Sequence, residues 1–197
     1  MNRDLALFDF DGTITRRDTL LDFMIFSIGK PRAIGVFIRL LPSVFAFLTK
    51  RITNQQLKET FLLLSFQGME ERSLRQLADE YSKKRLPKLL RPTAMERIEW
   101  HKAAGHHIVI VSASADTWLE RWCQNENLDL ICSHLETKDG RITGRLLGLN
   151  CRGPEKVRRI QQHLNLENYE KIYAYGDSRG DREMLDLADE GEFRLFH

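Results

Sequence analysis

The four consecutive residues Ile108-Val109-Ile110-Val111 constrain the fold of this chain most. Branched side chains favour extended backbone, and an unbroken apolar run has no side suited to water, so the run predicts a strand covered on both faces. Such a sheet needs helices above and below it. The flanking sequence supplies them: Thr93–Ala104 reads as a helix stopped by Gly105, and Asp116–Asn125 as the next one. Apolar runs at Leu5–Phe8, Leu130–Cys132, Lys171–Tyr175 and Phe193–Phe196 predict further strands. Glu155–Leu164, opened by Gly153-Pro154, and Asp181–Leu187 predict further helices. Leu135–Thr137 and Arg141–Thr143 flank Asp139-Gly140, a hairpin signature. Strands alternating with helices predict an α/β fold with a doubly wound, mostly parallel sheet.

The pattern changes between the first strand and Pro92. From Asp18 to Leu90 apolar and basic stretches alternate at helical spacing, broken at Gly29-Lys30-Pro31, Pro42 and Gln67-Gly68. This predicts a helical insertion over 16–91, including an amphipathic helix at Leu74–Lys84, with 1–15 and 92–197 as the α/β core. Ala33–Leu48 is the most apolar part. Ile34, Phe37, Ile38, Leu41, Phe45 and Leu48 follow three- and four-residue steps, while Val36, Leu40 and Phe47 make the stretch apolar on more than one side. It carries Arg39 and Pro42 and falls short of the roughly 20 residues that span a bilayer. Two readings stay open: contact with a membrane surface, helped by Lys30, Arg32, Lys50 and Arg51, or packing in a helical bundle or against another subunit.

Composition excludes several classes of function. Thirty Lys and Arg against twenty-eight Asp and Glu give a net charge of +2, so no global field points to nucleic acid. Cys123, Cys132 and Cys151 form no CxxC pair and leave one over, which suggests neither a disulfide framework nor a zinc site. The opening Met1-Asn2-Arg3-Asp4 reaches Asp9 and Asp11 without a continuous apolar segment, so the expected location is the cytoplasm.

In doubly wound sheets ligands bind beyond the carboxyl ends of the strands. Here the apolar runs end in Asp9 and Asp11, in Ser112, and in Gly176-Asp177-Ser178-Arg179-Gly180-Asp181, and Lys156 opens an intervening helix. Carboxylates crowded at one edge repel one another unless a cation sits among them. An all-oxygen set favours Mg²⁺, which commonly shares its coordination with a phosphate oxygen. Ser112, Lys156 and the backbone of the Gly12-Thr13 turn suit that phosphate, and a carboxylate facing phosphorus can attack it.

Phe8-Asp9-Phe10-Asp11-Gly12-Thr13 resembles the first motif of the haloacid dehalogenase (HAD) superfamily of phosphohydrolases. Val111-Ser112 resembles the second motif, Lys156 in Gly153-Pro154-Glu155-Lys156 the third, and Tyr175-Gly176-Asp177 with Asp181 the fourth. The helical residues between the first two motifs are most similar to the phosphoserine-phosphatase-like branch, which implies a Rossmann-like core with a small helical cap. The resemblance implies an Mg²⁺-dependent phosphomonoesterase in which Asp9 is the nucleophile, forming an aspartyl-phosphate, and Asp11 the general acid and then base. Asp9, the backbone carbonyl of Asp11, and Asp177 would hold Mg²⁺, with Asp181 close by or acting through water. Gly12, Thr13, Ser112 and Lys156 would bind phosphate. Gly180 departs from the pattern, standing where close phosphoserine phosphatases carry Asn.

Other functions share these residues. A phosphotransferase would differ only in the acceptor that reaches the aspartyl-phosphate, and a lipid-phosphate phosphatase, of phosphatidylglycerophosphate-like substrates, would use Ala33–Leu48 at the membrane surface. The expected partner is a small or amphiphilic phosphomonoester, with no nucleic acid. His106-His107 and Trp100, Trp118 and Trp122 read as structural residues. Arg16, Arg17 and Asp18 are either solvated or face the substrate.

Overall fold

The computed structural model describes residues 3–197, so Met1 and Asn2, where the reading of the N-terminus began, lie outside the described residues. Strands β1 (Arg3–Phe8), β2 (His107–Ala115), β3 (Asp129–Ser133), β6 (Tyr169–Gly176) and β7 (Glu190–Phe193) form one parallel sheet in the order β3-β2-β1-β6-β7. As a strand buried on both faces must, β2 sends Ile108 and Ile110 to one side and Val109 and Val111 to the other. The first side also receives Ala6 and Phe8 and packs on Ile98 of α5 (Pro92–Ala103) and Trp118 of α6 (Asp116–Glu126). The second holds Leu5 and Leu7 against Ile160 of α7 (Pro154–His163) and Met184 of α8 (Arg182–Leu187). The last strand is displaced from its expected place at Phe193–Phe196. Its pairing partners are Glu190 to Phe193, and Arg194 turns away with φ 59°.

The insertion contains α1 (Thr19–Ile28), α2 (Lys30–Leu48), α3 (Asn54–Phe66) and α4 (Glu71–Lys84). Its start signals are legible: Asp18 accepts from the Leu21 N–H, and Thr53 and Gln56 form a reciprocal capping box. The chain leaves and re-enters the core side by side, in an antiparallel bridge between Thr15 and Leu90. Arg16 N–H donates to the Leu89 carbonyl and Arg91 N–H to that of Ile14.

Strands β4 (Leu135–Lys138) and β5 (Arg141–Leu146) form the expected hairpin, with Asp139 at φ 51° and Gly140 at φ 71°. Positive φ at both central residues matches the twist of the strands. The hairpin packs on the insertion: a Cβ at Gly144 would stand 2.5 Å from the Leu63 Cα, and Ile142 exchanges backbone bonds with Gly68 and Met69.

His106 and His107 are structural, His107 lying 2.6 Å from both the Tyr169 hydroxyl and the Asp129 carboxylate. Trp118 and Trp122 are core residues, whereas Trp100 is half exposed beneath the Arg97 guanidinium. The buried His101 ring lies 2.9 Å from the Tyr175 hydroxyl and 2.8 Å from His106 Nδ1. Burial, with nearby His106 and Arg97, pushes its pKa down to about 3. The unfolded chain therefore binds a proton that the folded chain refuses between about pH 6.5 and 3. This contribution to stability is complete above pH 6.5 and is lost as pH falls through that window. Urea denaturation of the wild type should show a pH slope steeper by up to about 1.4 kcal/mol per unit than that of His101→Gln.

Candidate active site

Asp9 leaves the central strand β1, its N–H donating to the Tyr175 carbonyl of β6 at 2.9 Å. Its carboxylate is fixed at both oxygens: Lys156 Nζ donates to Oδ1 at 2.7 Å and the Thr13 hydroxyl to Oδ2 at 3.0 Å. Lys156, in the first turn of α7, also donates to Asp181 Oδ1 at 2.7 Å and to the Val111 carbonyl at 2.6 Å. Thus one buried ammonium ties together the ends of β1, β2 and β6. Burial opposes its charge, yet Asp9 and Asp181 hold its pKa above the ordinary range.

The carboxylates remain short of positive charge. Burial pushes Asp9 up to about 7; Lys156 opposes that rise and Asp181 adds to it. Asp177 is raised by burial and then by Asp181. For Asp181 burial also works upward, but Lys156 and the Ser178 hydrogen bonds bring it below its usual value. Oxygens of Asp9, Asp177 and Asp181 lie within 4.8 Å of one another. An all-oxygen set of three carboxylates at that spacing, with one lysine to balance it, fits a hard divalent cation.

Close packing holds the loops in place. Gly12 has φ 88°, and a Cβ there would stand 2.4 Å from the Asp177 carboxylate. Likewise a Cβ at Gly176 would meet Asp181 at 2.5 Å. At Gly180 the Arg152 side chain lies across the backbone, 2.7 Å from the position of a Cβ.

Asp11 stands apart from the carboxylate cluster. It accepts from the Thr19 N–H at 2.6 Å and the Ser114 hydroxyl at 2.5 Å, so it bridges core and insertion. Burial, with the charge of Asp18, pushes its pKa up to about 6 against these hydrogen bonds.

A cavity of about 400 Å³ opens here. Asp9, Asp11, Lys156, Asp177 and Asp181 line its polar end, and Leu20, Leu21, Leu40, Leu57 and Phe61 give it an apolar wall. Ser112 is buried and does not line it; its hydroxyl accepts from the Ser114 N–H, and Ser114 faces the cavity. Asp18 lines the cavity; Arg16 and Arg17 do not.

Sequence reading missed Ser114, Lys58, Asn150 and Arg152, which also line the cavity. Ser114 carried a faint signal, two residues beyond Ser112 on the same strand. Lys58 carried none, being one lysine in a basic insertion. It donates to the Ala113 carbonyl and, at 2.9 Å, to Asn150 Oδ1. Burial lowers its pKa to about 8, against the opposing pull of Asp11 and Asp18.

A family model described as haloacid dehalogenase-like hydrolase matches residues 6–186. Protein CicA of Caulobacter vibrioides is 34% identical over 198 aligned residues, covering 98% of this chain and 86% of the relative. A crystal structure of a protein of unknown function from Bordetella pertussis Tohama I superposes with a TM-score of 0.78 at 25% identity, covering 98% of this chain and 89% of that one. A probable phosphoserine phosphatase from Vibrio cholerae shares the fold with a TM-score of 0.67 at 19% identity, over 97% of this chain and 55% of that one.

Lys156 is the site's structural counter-charge, and its removal leaves buried carboxylates unpaired. Lys156→Met should lower stability by about 3–5 kcal/mol in urea denaturation at neutral pH. Adding Asp9→Asn to Lys156→Met should recover part of the loss, because one of the stranded charges is then gone.

Proposed function

The chain belongs to the haloacid dehalogenase-like hydrolases, and we propose that it is an Mg²⁺-dependent phosphomonoesterase working through an aspartyl-phosphate at Asp9. The observation that carries this reading is the Asp9 carboxylate, held at both oxygens at the polar end of the cavity beside Lys156, Asp177 and Asp181. Asp9, Asp177 and Asp181, with the Asp11 backbone carbonyl, are the residues that would hold the ion, which supplies charge neutralisation to phosphate and carboxylates.

Asp9 attacks phosphorus. An Asp9 O–P bond forms as the ester P–O bond breaks, and Asp11 gives its proton to the departing alcohol oxygen. Asp11, now ionised, takes a proton from water as that water attacks phosphorus, restoring Asp9 and releasing phosphate. Thr19 and Ser114 keep the Asp11 carboxyl in place for both transfers. Lys156 balances the charge beside Asp9, while Gly12 and Thr13 supply donors to the phosphate. We retain Ser112 in a supporting role: it receives the Ser114 N–H and so fixes the strand end from which Ser114 reaches Asp11.

We read helices α1 to α4 as the cap and, as the sequence reading expects, the cytoplasm as the site of action. The cavity suits a small phosphate ester. Its wall of Leu20, Leu21, Leu40, Leu57 and Phe61 favours, as a second reading, an amphiphilic or lipid phosphate over phosphoserine.

The test is phosphate release from a panel of phosphomonoesters with Mg²⁺ and with EDTA. Activity should require the ion, and Asp9→Asn should lose several orders of magnitude in kcat and fail to take up radiolabelled phosphate covalently. Full activity in Asp9→Asn would overturn the mechanism. Calorimetric Mg²⁺ titration should separate two further variants: Asp11→Asn, slow in turnover, keeps its affinity for the ion, whereas Asp177→Ala loses it.

A further inference from the structure

Helix α2 has two apolar sides, and the fold uses one. Ala33, Val36 and Leu40 are buried against the rest of the insertion, Leu40 reaching the catalytic cavity. At 100° per residue Ile34, Phe37, Ile38, Leu41, Phe45 and Leu48 share another side. All six are exposed: Ile34, Ile38 and Leu41 to 61%, Phe45 to 64% and Leu48 to 72%. The stripe runs for about 21 Å along the helix. Single exposed apolar residues need no explanation, but a continuous band of them marks a contact surface.

Charge identifies the partner. Between Phe23 and Lys58 the chain contains no Asp or Glu, yet Lys30, Arg32, Arg39, Lys50 and Arg51 are all exposed there. Lys30 lies one turn before Ile34 on the line of the stripe. Lys50 with Arg51 closes the far end, whereas Arg32 and Arg39, seven residues apart, stand about 150–170° round the helix from the centre of the stripe. The whole protein carries only +2, so this is a local concentration of cations along one helix, three of them at the two ends of the apolar band. A second copy of the face would oppose cation to cation. A spanning helix is excluded by the packing of Ala33, Val36 and Leu40, although the 19 residues of α2 reach the length and apolarity of a span.

We propose that this side of α2 docks on the surface of an anionic bilayer, with the helix in the plane of the interface. The six apolar side chains enter the headgroup region, and Lys30 at one end of the stripe and Lys50 and Arg51 at the other reach the lipid phosphates. The inference does not rest on the phosphatase reading, because none of its residues takes part in that chemistry.

Vesicle co-sedimentation at low salt tests it with the full chain. Vesicles of equal parts phosphatidylglycerol and phosphatidylcholine should capture the protein, and vesicles of phosphatidylcholine alone should bind it at least tenfold more weakly, as roughly fivefold per cation predicts. Ile38→Asp and Phe45→Asp, on exposed positions that leave the core intact, should each reduce capture about tenfold or more. Lys30→Gln and Arg51→Gln should each reduce it about fivefold and flatten its dependence on salt, whereas Arg39→Gln, on the side turned away from the bilayer, should reduce it less. Asp9→Asn should bind as the wild type does, separating surface docking from capture of a lipid phosphate in the catalytic cavity. The proposal is overturned if folded wild-type protein ignores anionic vesicles, or if Phe45→Asp binds them equally well. Light scattering that shows a dimer dissolved by Phe45→Asp, with no vesicle binding by the wild type, would assign the face to a second copy instead.

Discussion

Everything at the polar end of this fold depends on one ammonium group. Lys156 Nζ is buried among the Asp9 and Asp181 carboxylates and the Val111 carbonyl, and so joins a helix start to the ends of three strands. A buried ion pair of this kind is weak evidence of net stability, since removing two charges from water can cost as much as their attraction returns. What it does give is position. Each of its three bonds is shorter than 2.8 Å, and each partner belongs to a separate part of the chain. The lysine therefore fixes where the side chains at these strand ends stand relative to one another.

The second consequence concerns Asp11. Its carboxylate is held by Ser114 from the core and by the first N–H of α1 from the insertion, and Trp118 donates to the Thr19 hydroxyl beside them at 3.0 Å. Any rocking of α1 relative to the sheet must stretch these bonds. In the proposed mechanism, cap position and proton-transfer geometry are accordingly one mechanical property. On the opposite side of the cavity Lys58 does the same for α3, reaching across to Ala113 and Asn150.

Much of this was legible in the sequence, for reasons that differ from residue to residue. The β2 run could be read because a strand with no polar side chain has only one environment open to it. Asp9, Asp11, Asp177, Asp181 and Lys156 could be read because each follows or opens an element whose type was plain. Less legible were features set by contacts across the chain. The final strand slid to Glu190–Phe193 because pairing to β6 settles its register, and its own residues are exposed and poorly patterned. Nothing local distinguishes Lys58 from the other basic residues of the insertion, or announces that Arg152 fills the space left by Gly180. The hairpin read correctly as a hairpin, but its seat on α3 rests on the missing side chain of Gly144 against Leu63, a contact between residues far apart in the sequence that no local pattern announces.

The bridge between Thr15 and Leu90 bears on how such proteins diversify. Because the insertion departs and returns at a single strand spacing, its length can change without separating the two ends. Loop-closure entropy rises logarithmically, so doubling the length between those ends costs only about 0.6 kcal/mol. A larger or smaller covering segment thus costs little in chain entropy, provided that it still offers partners to Asp11, Trp118 and Ala113. Growth or loss of residues within such a segment would therefore be constrained at the few positions that touch the sheet and free elsewhere.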